Sequence, residues 1–344
     1  MKRHLLTSLV ATATLALSTG AALADNALTE VKVSLGWLRN SQYTQLYIAD
    51  VNGYFKNEGL KLTLIDGGPG KNPVSTVGAG LADFGITGGT FIFSARLAPD
   101  PVDVVAIGAV RQKTPYVYIT LANPSAPDPT PKDMEGKTVG IQTDGEIFLK
   151  GVVERNKLDM SKIKIKIVQG GLEPLLTGAV DFMSGHIGNQ PYQVELEAAK
   201  SDAPANLKGK TWKVIRLSEY GVPSYNDLIF TTNAFLKQKP EVARKFLKAV
   251  ARGMQFMQKD PEATAKIAAS YQGQLDPIER VRWSLKIENG LNMSADTKEH
   301  HFLWMRPEVW DRQIQFYHDN KQIPRVIPAA EVMTNAFQSD VKSD

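Results

Sequence analysis

The sequence predicts an α/β protein of two lobes, each built on a largely parallel sheet. Strand-like and helix-like segments alternate through most of the chain, one helix-to-strand junction recurs further on, and 344 residues are too many for one small core.

The first residues set the compartment. Lys2 and Arg3 form a positive start, residues 5–17 are apolar apart from small hydroxyl side chains, and Ala22-Leu23-Ala24 is a small-residue cleavage pattern. The apolar run is short for a bilayer span. Residues 1–24 are therefore expected to be a cleaved signal peptide that delivers the remaining 320 residues to the periplasm. Losing Lys2 and Arg3 takes the formal charge from +4 to +2, a balance that speaks against nucleic acid. The chain has no cysteine, which excludes disulfides, cysteine-based metal sites, thiol catalysis and a lipid-modified cysteine anchor.

Residues 31–37 alternate apolar and polar side chains and read as a strand, followed by a helix over 42–52 that Gly53 caps. Residues 61–65 form a second strand, closed by the loop Asp66-Gly67-Gly68-Pro69-Gly70. A helix over 74–82 leads into a short strand at 83–86. The pattern x-G-x-x-D-F closes this helix at Gly80, Asp83 and Phe84, and returns at Gly178, Asp181 and Phe182. Two lobes made from one supersecondary unit would produce such an echo.

Pro124, Pro127, Pro129 and Pro131 keep residues 121–132 extended, so this stretch is expected to cross between lobes, with a return near 225–233. The expected organisation is a first lobe of 25–122 and 232–344, with a second lobe of 123–231 inserted between. Two crossover strands side by side make a hinge about a ligand cleft. Beyond it, Pro240 starts an amphipathic helix with Val242, Phe246, Val250, Met254 and Met257 on one face. Residues 307–320 repeat the device with Val309, Trp310, Ile314 and Tyr317.

Ligands of open α/β sheets gather where strands run into helices. Four such junctions stand out. After the first strand, Trp37, Asn40 and Tyr43 offer two rings and an amide, with Gln42 beside them. At Gly88, Gly89 and Thr90, backbone N–H groups can approach a ligand at a helix start. Thr143, Asp144 and Glu146 follow the strand over 138–141; Thr143 and Glu146 also have capping-box spacing. Asn189 ends the segment Ser184-Gly185-His186-Ile187-Gly188, and a lone His186 is more often structural than a ligand contact. Tyr225, at the expected hinge, would close the pocket from below. No helical histidine pair, nucleophile elbow or dinucleotide fingerprint is present. No enzymatic activity, no cofactor and no metal are expected.

Gly36-Trp37 with Asn40, Leu46-Tyr47-Ile48-Ala49, Gly53-Tyr54-Phe55 and Glu58-Gly59-Leu60 resemble the opening of periplasmic binding proteins for thiamine-precursor pyrimidines. The wider group includes binders of riboflavin, sulfonates, taurine and nitrate. Asp66-Gly67-Gly68-Pro69, Ala82-Asp83-Phe84-Gly85, residues 134–140, Ala249-Val250-Ala251-Arg252-Gly253 and Pro307-Glu308-Val309-Trp310 extend the likeness over nearly the whole chain. The resemblance implies a type II periplasmic binding protein, monomeric, that closes on a small molecule and delivers it to the membrane permease of an ABC importer. Trp37/Asn40 and Gly67-Gly68-Pro69 are similar to the pyrimidine and flavin branch, whereas Thr87-Gly88-Gly89 is closer to the sulfonate branch. With Trp37, Tyr43 and Tyr225 as rings, a planar heterocycle is expected, and an alkanesulfonate, taurine or nitrate-type anion is the alternative. The same family includes a pyrimidine synthase that consumes its own histidine and pyridoxal phosphate and carries a cysteine-rich iron motif. Without cysteine, and exported, this chain is not expected to be that enzyme. An extracellular hydrolase would need an acid/base pair that the sequence does not display.

Overall fold

The computed structural model describes residues 27–142, 145–169, 171–220 and 224–341. The expected signal peptide, Thr143 and Asp144 lie outside them. Among the described residues, ten strands form two five-stranded sheets. They are β1 (Thr29–Ser34), β2 (Leu60–Ile65), β3 (Phe84–Thr87), β4 (Val104–Arg111), β5 (Tyr116–Ala122), β6 (Thr138–Ile141), β7 (Lys164–Ile167), β8 (Phe182–His186), β9 (Thr211–Arg216) and β10 (Asn226–Thr232). The first sheet runs β2-β1-β3-β10-β4 and the second β7-β6-β8-β5-β9. In each, one strand enters antiparallel between the third strand and the edge: β10, the last strand of the chain, in the first sheet, and β5, the first of its own sheet, in the second.

The recurring junction has the same job in both sheets. Gly80 and Gly178 both take the left-handed conformation (φ 72° and 76°), which ends each helix without a Cβ penalty. Asp83 accepts the backbone N–H of Lys32 in β1, and Asp181 accepts that of Thr138 in β6, each at 2.8 Å. The carbonyls of the same two aspartates receive the hydroxyls of Thr231 and Thr120, at 2.7 and 2.8 Å. One motif thus locks the first and third strands of each sheet together and ties both to the antiparallel strand.

Both faces of both sheets are covered. Phe246, Val250, Met254 and Met257 of helix Pro240–Lys259 pack on one face of the first sheet, together with Leu46, Tyr47 and Ile48 of helix Thr44–Val51. Trp310, Ile314 and Tyr317 of helix Pro307–Asp319 cover the other face with Ile92 and Phe93. The second sheet lies between Leu175 and Val194 on one side and Leu149, Val152 and Val153 on the other. Its edge strand β7, Lys-Ile-Lys-Ile, is wholly exposed, and its lysines disfavour edge-to-edge pairing.

The crossover positions differ from the sequence expectation. Strand β5 pairs within the second sheet and β10 within the first. The chain therefore leaves the first sheet over residues 112–115 and is back in it at β10. The proline-rich stretch expected to cross is instead a surface connection from β5 to β6, ending in the 3-10 turn Pro131–Met134. Four residues ending in Pro115 separate β4 from β5, too short a break to stand out between two apolar runs. Among the described residues, no helix is long and apolar enough to cross a membrane.

Candidate functional site

A cavity of about 610 Å³ lies between the carboxyl edges of the two sheets. One wall is the loop after β1. The chain at Gly67 passes so close to this loop that a Cβ there would strike its backbone, and the Gly67 N–H donates to the Trp37 carbonyl at 3.1 Å. The Trp37 N–H donates to the Tyr43 hydroxyl at 2.8 Å, and the Tyr47 hydroxyl donates to the Asn40 carbonyl at 2.9 Å. Two buried tyrosines hold the loop from behind. They leave the Trp37 indole 47% exposed at the cavity, a flat face available for stacking. The Asn40 side chain lines the cavity while its Oδ1 caps the 3-10 turn Ser41–Tyr43 by accepting the Gln42 N–H.

The floor is charged. Arg111 ends β4, where seven apolar or small residues precede it. Its Nε donates to Asp227 and its Nη2 to Glu288, both at 2.5 Å. Gln42 takes the other Asp227 oxygen at 2.5 Å. Asp227 has φ 48°, a left-handed conformation uncommon for a non-glycine residue. Burial opposes the charge on Arg111, but Glu288 and then Asp227 outweigh it and hold the guanidinium firmly protonated. Burial would raise the Glu288 carboxyl; Arg111, and behind it His186, reverse this and hold it below the usual carboxylate range. The third guanidinium nitrogen, Arg111 Nη1, is buried without a protein partner.

The opposite wall comes from the second sheet. His186 ends β8, and Gly188, Asn189 and helix Gln190–Ala198 follow. The Gly188 N–H donates to His186 Nδ1 at 3.1 Å, so a neutral imidazole carries its proton on Nε2. Burial, above all, pushes the His186 pKa down to about 4, leaving the ring neutral at physiological pH. Helix Ile278–Glu288 faces this wall. Arg280 donates to the Gly188 carbonyl and lies over the Tyr192 ring at 4.6 Å. The Glu195 carboxylate accepts both Trp283 Nε1 and Trp212 Nε1 at 2.9 Å, joining that helix to β9. A Cβ at Gly188 would coincide with the Glu288 carboxylate, so a larger residue there would have to displace that side chain from Arg111.

The expected site residues divide accordingly. Trp37, Asn40 and Asn189 line the cavity. Tyr43 lies in the core, and its role is to hold the Trp37 loop. Tyr225 is also buried, against Trp310; its hydroxyl accepts the Arg306 N–H at 2.7 Å, and burial pushes its pKa up to about 12. Neither is a ring facing a ligand. Gly88, Gly89 and Thr90 do not line this cavity: Gly89 starts helix Gly89–Leu97 and packs against Gln313. Glu146 is exposed in the first turn of helix Glu146–Arg155 and pairs with Lys150 at 2.8 Å. The residues that sequence reading left out are Arg111, Asp227, Arg280 and Glu288. The one signal for them was a lone arginine closing an apolar strand.

The family model "NMT1/THI5 like" matches residues 40–264. The chain belongs to the NMT1/THI5-like family. A formylaminopyrimidine-binding protein of Halalkalibacterium halodurans is 26% identical over 86% of this chain and 90% of that protein. A 4-amino-5-hydroxymethyl-2-methylpyrimidine phosphate synthase of Candida albicans is 25% identical, covering 66% and 67% of the two chains. Among solved structures, the periplasmic aliphatic sulphonate binding protein of Escherichia coli superposes with a TM-score of 0.64 at 15% identity, covering 91% of this chain and 94% of that one. The fold is that of the type II periplasmic binding proteins, as the resemblance implied.

These relatives correct the expectation of no enzymatic activity. The synthase name recurs among further relatives at 24–26% identity. The family therefore holds proteins named as binders and proteins named as synthases. Lack of cysteine excludes thiol chemistry, and lack of a familiar motif excludes only the reactions such motifs serve. A histidine, a buried arginine and several carboxylates meet in this cavity without any sequence motif, which is why motif inspection was not a sufficient ground for excluding catalysis.

Proposed function

We propose that this chain captures an uncharged planar heterocycle, an aminopyrimidine, in the cleft between its sheets. We further infer that it does so in the periplasm, on behalf of the permease of an ABC importer. The observation that carries the ligand class is the charge balance of the cleft. Arg111 is matched by Asp227 and Glu288, and Arg280 lies in the field of Asp276, so the lining leaves no surplus positive charge for a sulfonate or nitrate. What remains is suited to a neutral ring: the Trp37 face, the Asn40 and Asn189 amides, and one unpartnered nitrogen on each of Arg111 and Arg280. The ligand in the name of the Halalkalibacterium relative supports the same class. The leader pattern of residues 1–24 supports export.

Thermal unfolding of the purified protein with a formylaminopyrimidine tests the reading. At about a hundredfold excess over Kd the protein gains about 2.7 kcal/mol, and Tm rises accordingly. Trp37→Ala is expected to weaken binding about tenfold, through lost ring stacking, with the unliganded Tm little changed. Stabilisation by an alkanesulfonate and not by the pyrimidine would overturn the proposal.

A further inference from the structure

A second cavity, of about 190 Å³, opens beside the first at the carboxyl edge of the second sheet. His186 lines both, so one imidazole is a shared wall. In the β5–β8 register Tyr116 stands opposite His186 and Tyr118 opposite Ser184, which brings these four side chains to one face of the sheet. The His186 and Tyr116 rings meet edge to face at 6.4 Å, and Phe148, from helix Glu146–Arg155, lies 5.3 Å from Tyr116. Gln142 and Ser184 add polar atoms to the lining.

The two cavities differ in chemistry. The larger is lined by Arg111, Arg280, Asp276 and Glu288. Among the described residues lining the smaller, none is charged once His186 is neutral. Protein interiors are packed with few voids larger than a water molecule. A cavity of about 150 Å³ suffices for a benzene ring. The smaller chamber therefore has room for one ring and walls of aromatic carbon to receive it.

We propose that this chamber is a second subsite, and that the ligand has two parts: a hydrogen-bonding heterocycle in the charged cleft, and an uncharged aromatic arm that passes His186 into the smaller chamber. The inference rests on the reading of the charged cleft as a heterocycle site. It narrows the ligand class from single-ring pyrimidines to pyrimidines carrying an uncharged aryl substituent.

Two probes decide it by calorimetric titration of the intact protein: 4-amino-5-hydroxymethyl-2-methylpyrimidine, and the same ring with benzyl in place of hydroxymethyl. The benzyl compound is expected to bind about tenfold tighter and to displace the single-ring probe one for one. Ser184→Met fills the chamber, so it is expected to abolish that gain while leaving single-ring affinity unchanged. Equal or weaker binding of the benzyl probe to the unaltered protein overturns the second subsite and leaves the charged cleft standing. Failure of both probes to bind overturns the heterocycle reading and the subsite with it. Should Ser184→Met not fold, the probe comparison on the unaltered protein still decides.

Discussion

The Arg111 charge is matched by Asp227 and Glu288, and on the proposed reading that balance is what turns an anion away from the cleft. Removing one carboxylate should change that. Glu288→Gln is expected to let an alkanesulfonate bind about tenfold tighter than it does to the unaltered protein, read by calorimetry; unchanged sulfonate affinity would mean that charge balance does not set selectivity. His186 makes a second residue-scale prediction. Its folded pKa is about 4, below the ordinary 6.5, so between those values the unfolded chain holds a proton that the folded chain does not. Stability should then fall as pH drops from 6.5 to 4, by up to about 1.4 kcal/mol per pH unit. His186→Asn should flatten that part of a urea-denaturation series. Burial is the largest cause of the shift, with Glu288 and Asp227 acting against it and Arg111 and Arg280 with it. Of this floor the sequence offered only Gln42 and an arginine closing an apolar strand. Arg111 and Asp227 are 116 positions apart and Glu288 arrives on a third element, so no local spacing betrays them. Trp37, Asn40 and Asn189 were legible because each follows a strand that periodicity reveals. Tyr43 and Tyr225 misled because an aromatic ring beside a site reads the same whether it faces the ligand or braces the loop.

At the scale of elements, the recurring Gly-x-x-Asp-Phe junction was visible because its demands are local: a left-handed glycine to end a helix and a carboxylate to accept the N–H of the neighbouring strand. The helices over 240–259 and 307–319 were visible through their apolar faces. The crossovers were not, since proline richness marks any extended surface segment and the true break before β5 is four residues long. The contact between helix Ile278–Glu288 and helix Gln190–Ala198 gives a test at this scale. Trp283 reaches Glu195 and Tyr192 across it. Trp283→Phe removes the indole donor at an accessible site, so unfolding free energy should change by less than about 1 kcal/mol. Ligand dissociation should nonetheless accelerate several-fold in stopped-flow fluorescence, because the lost bond ties the two walls of the cleft together. An unaltered off-rate would remove this contact from the closing interface.

For the whole molecule, two sheets of the same plan exchange the chain after β4 and before β10, with the cavity between their carboxyl edges. Such an arrangement places ligand affinity and the relative position of the halves under one equilibrium. At Gly188 the loop after β8 meets the Glu288 side chain of helix Ile278–Glu288 with no space for a methyl group unless that side chain shifts. Gly188→Ala acts as a wedge. The variant should fold with an unaltered circular dichroism spectrum, yet show a larger radius of gyration with ligand in X-ray scattering than the unaltered protein does. A carrier propped ajar in this way would still sample its solute but could not retain it, so cargo would leak back before reaching a membrane acceptor. On the proposed reading, a single absent side chain would then separate retention of a ligand from mere sampling of it.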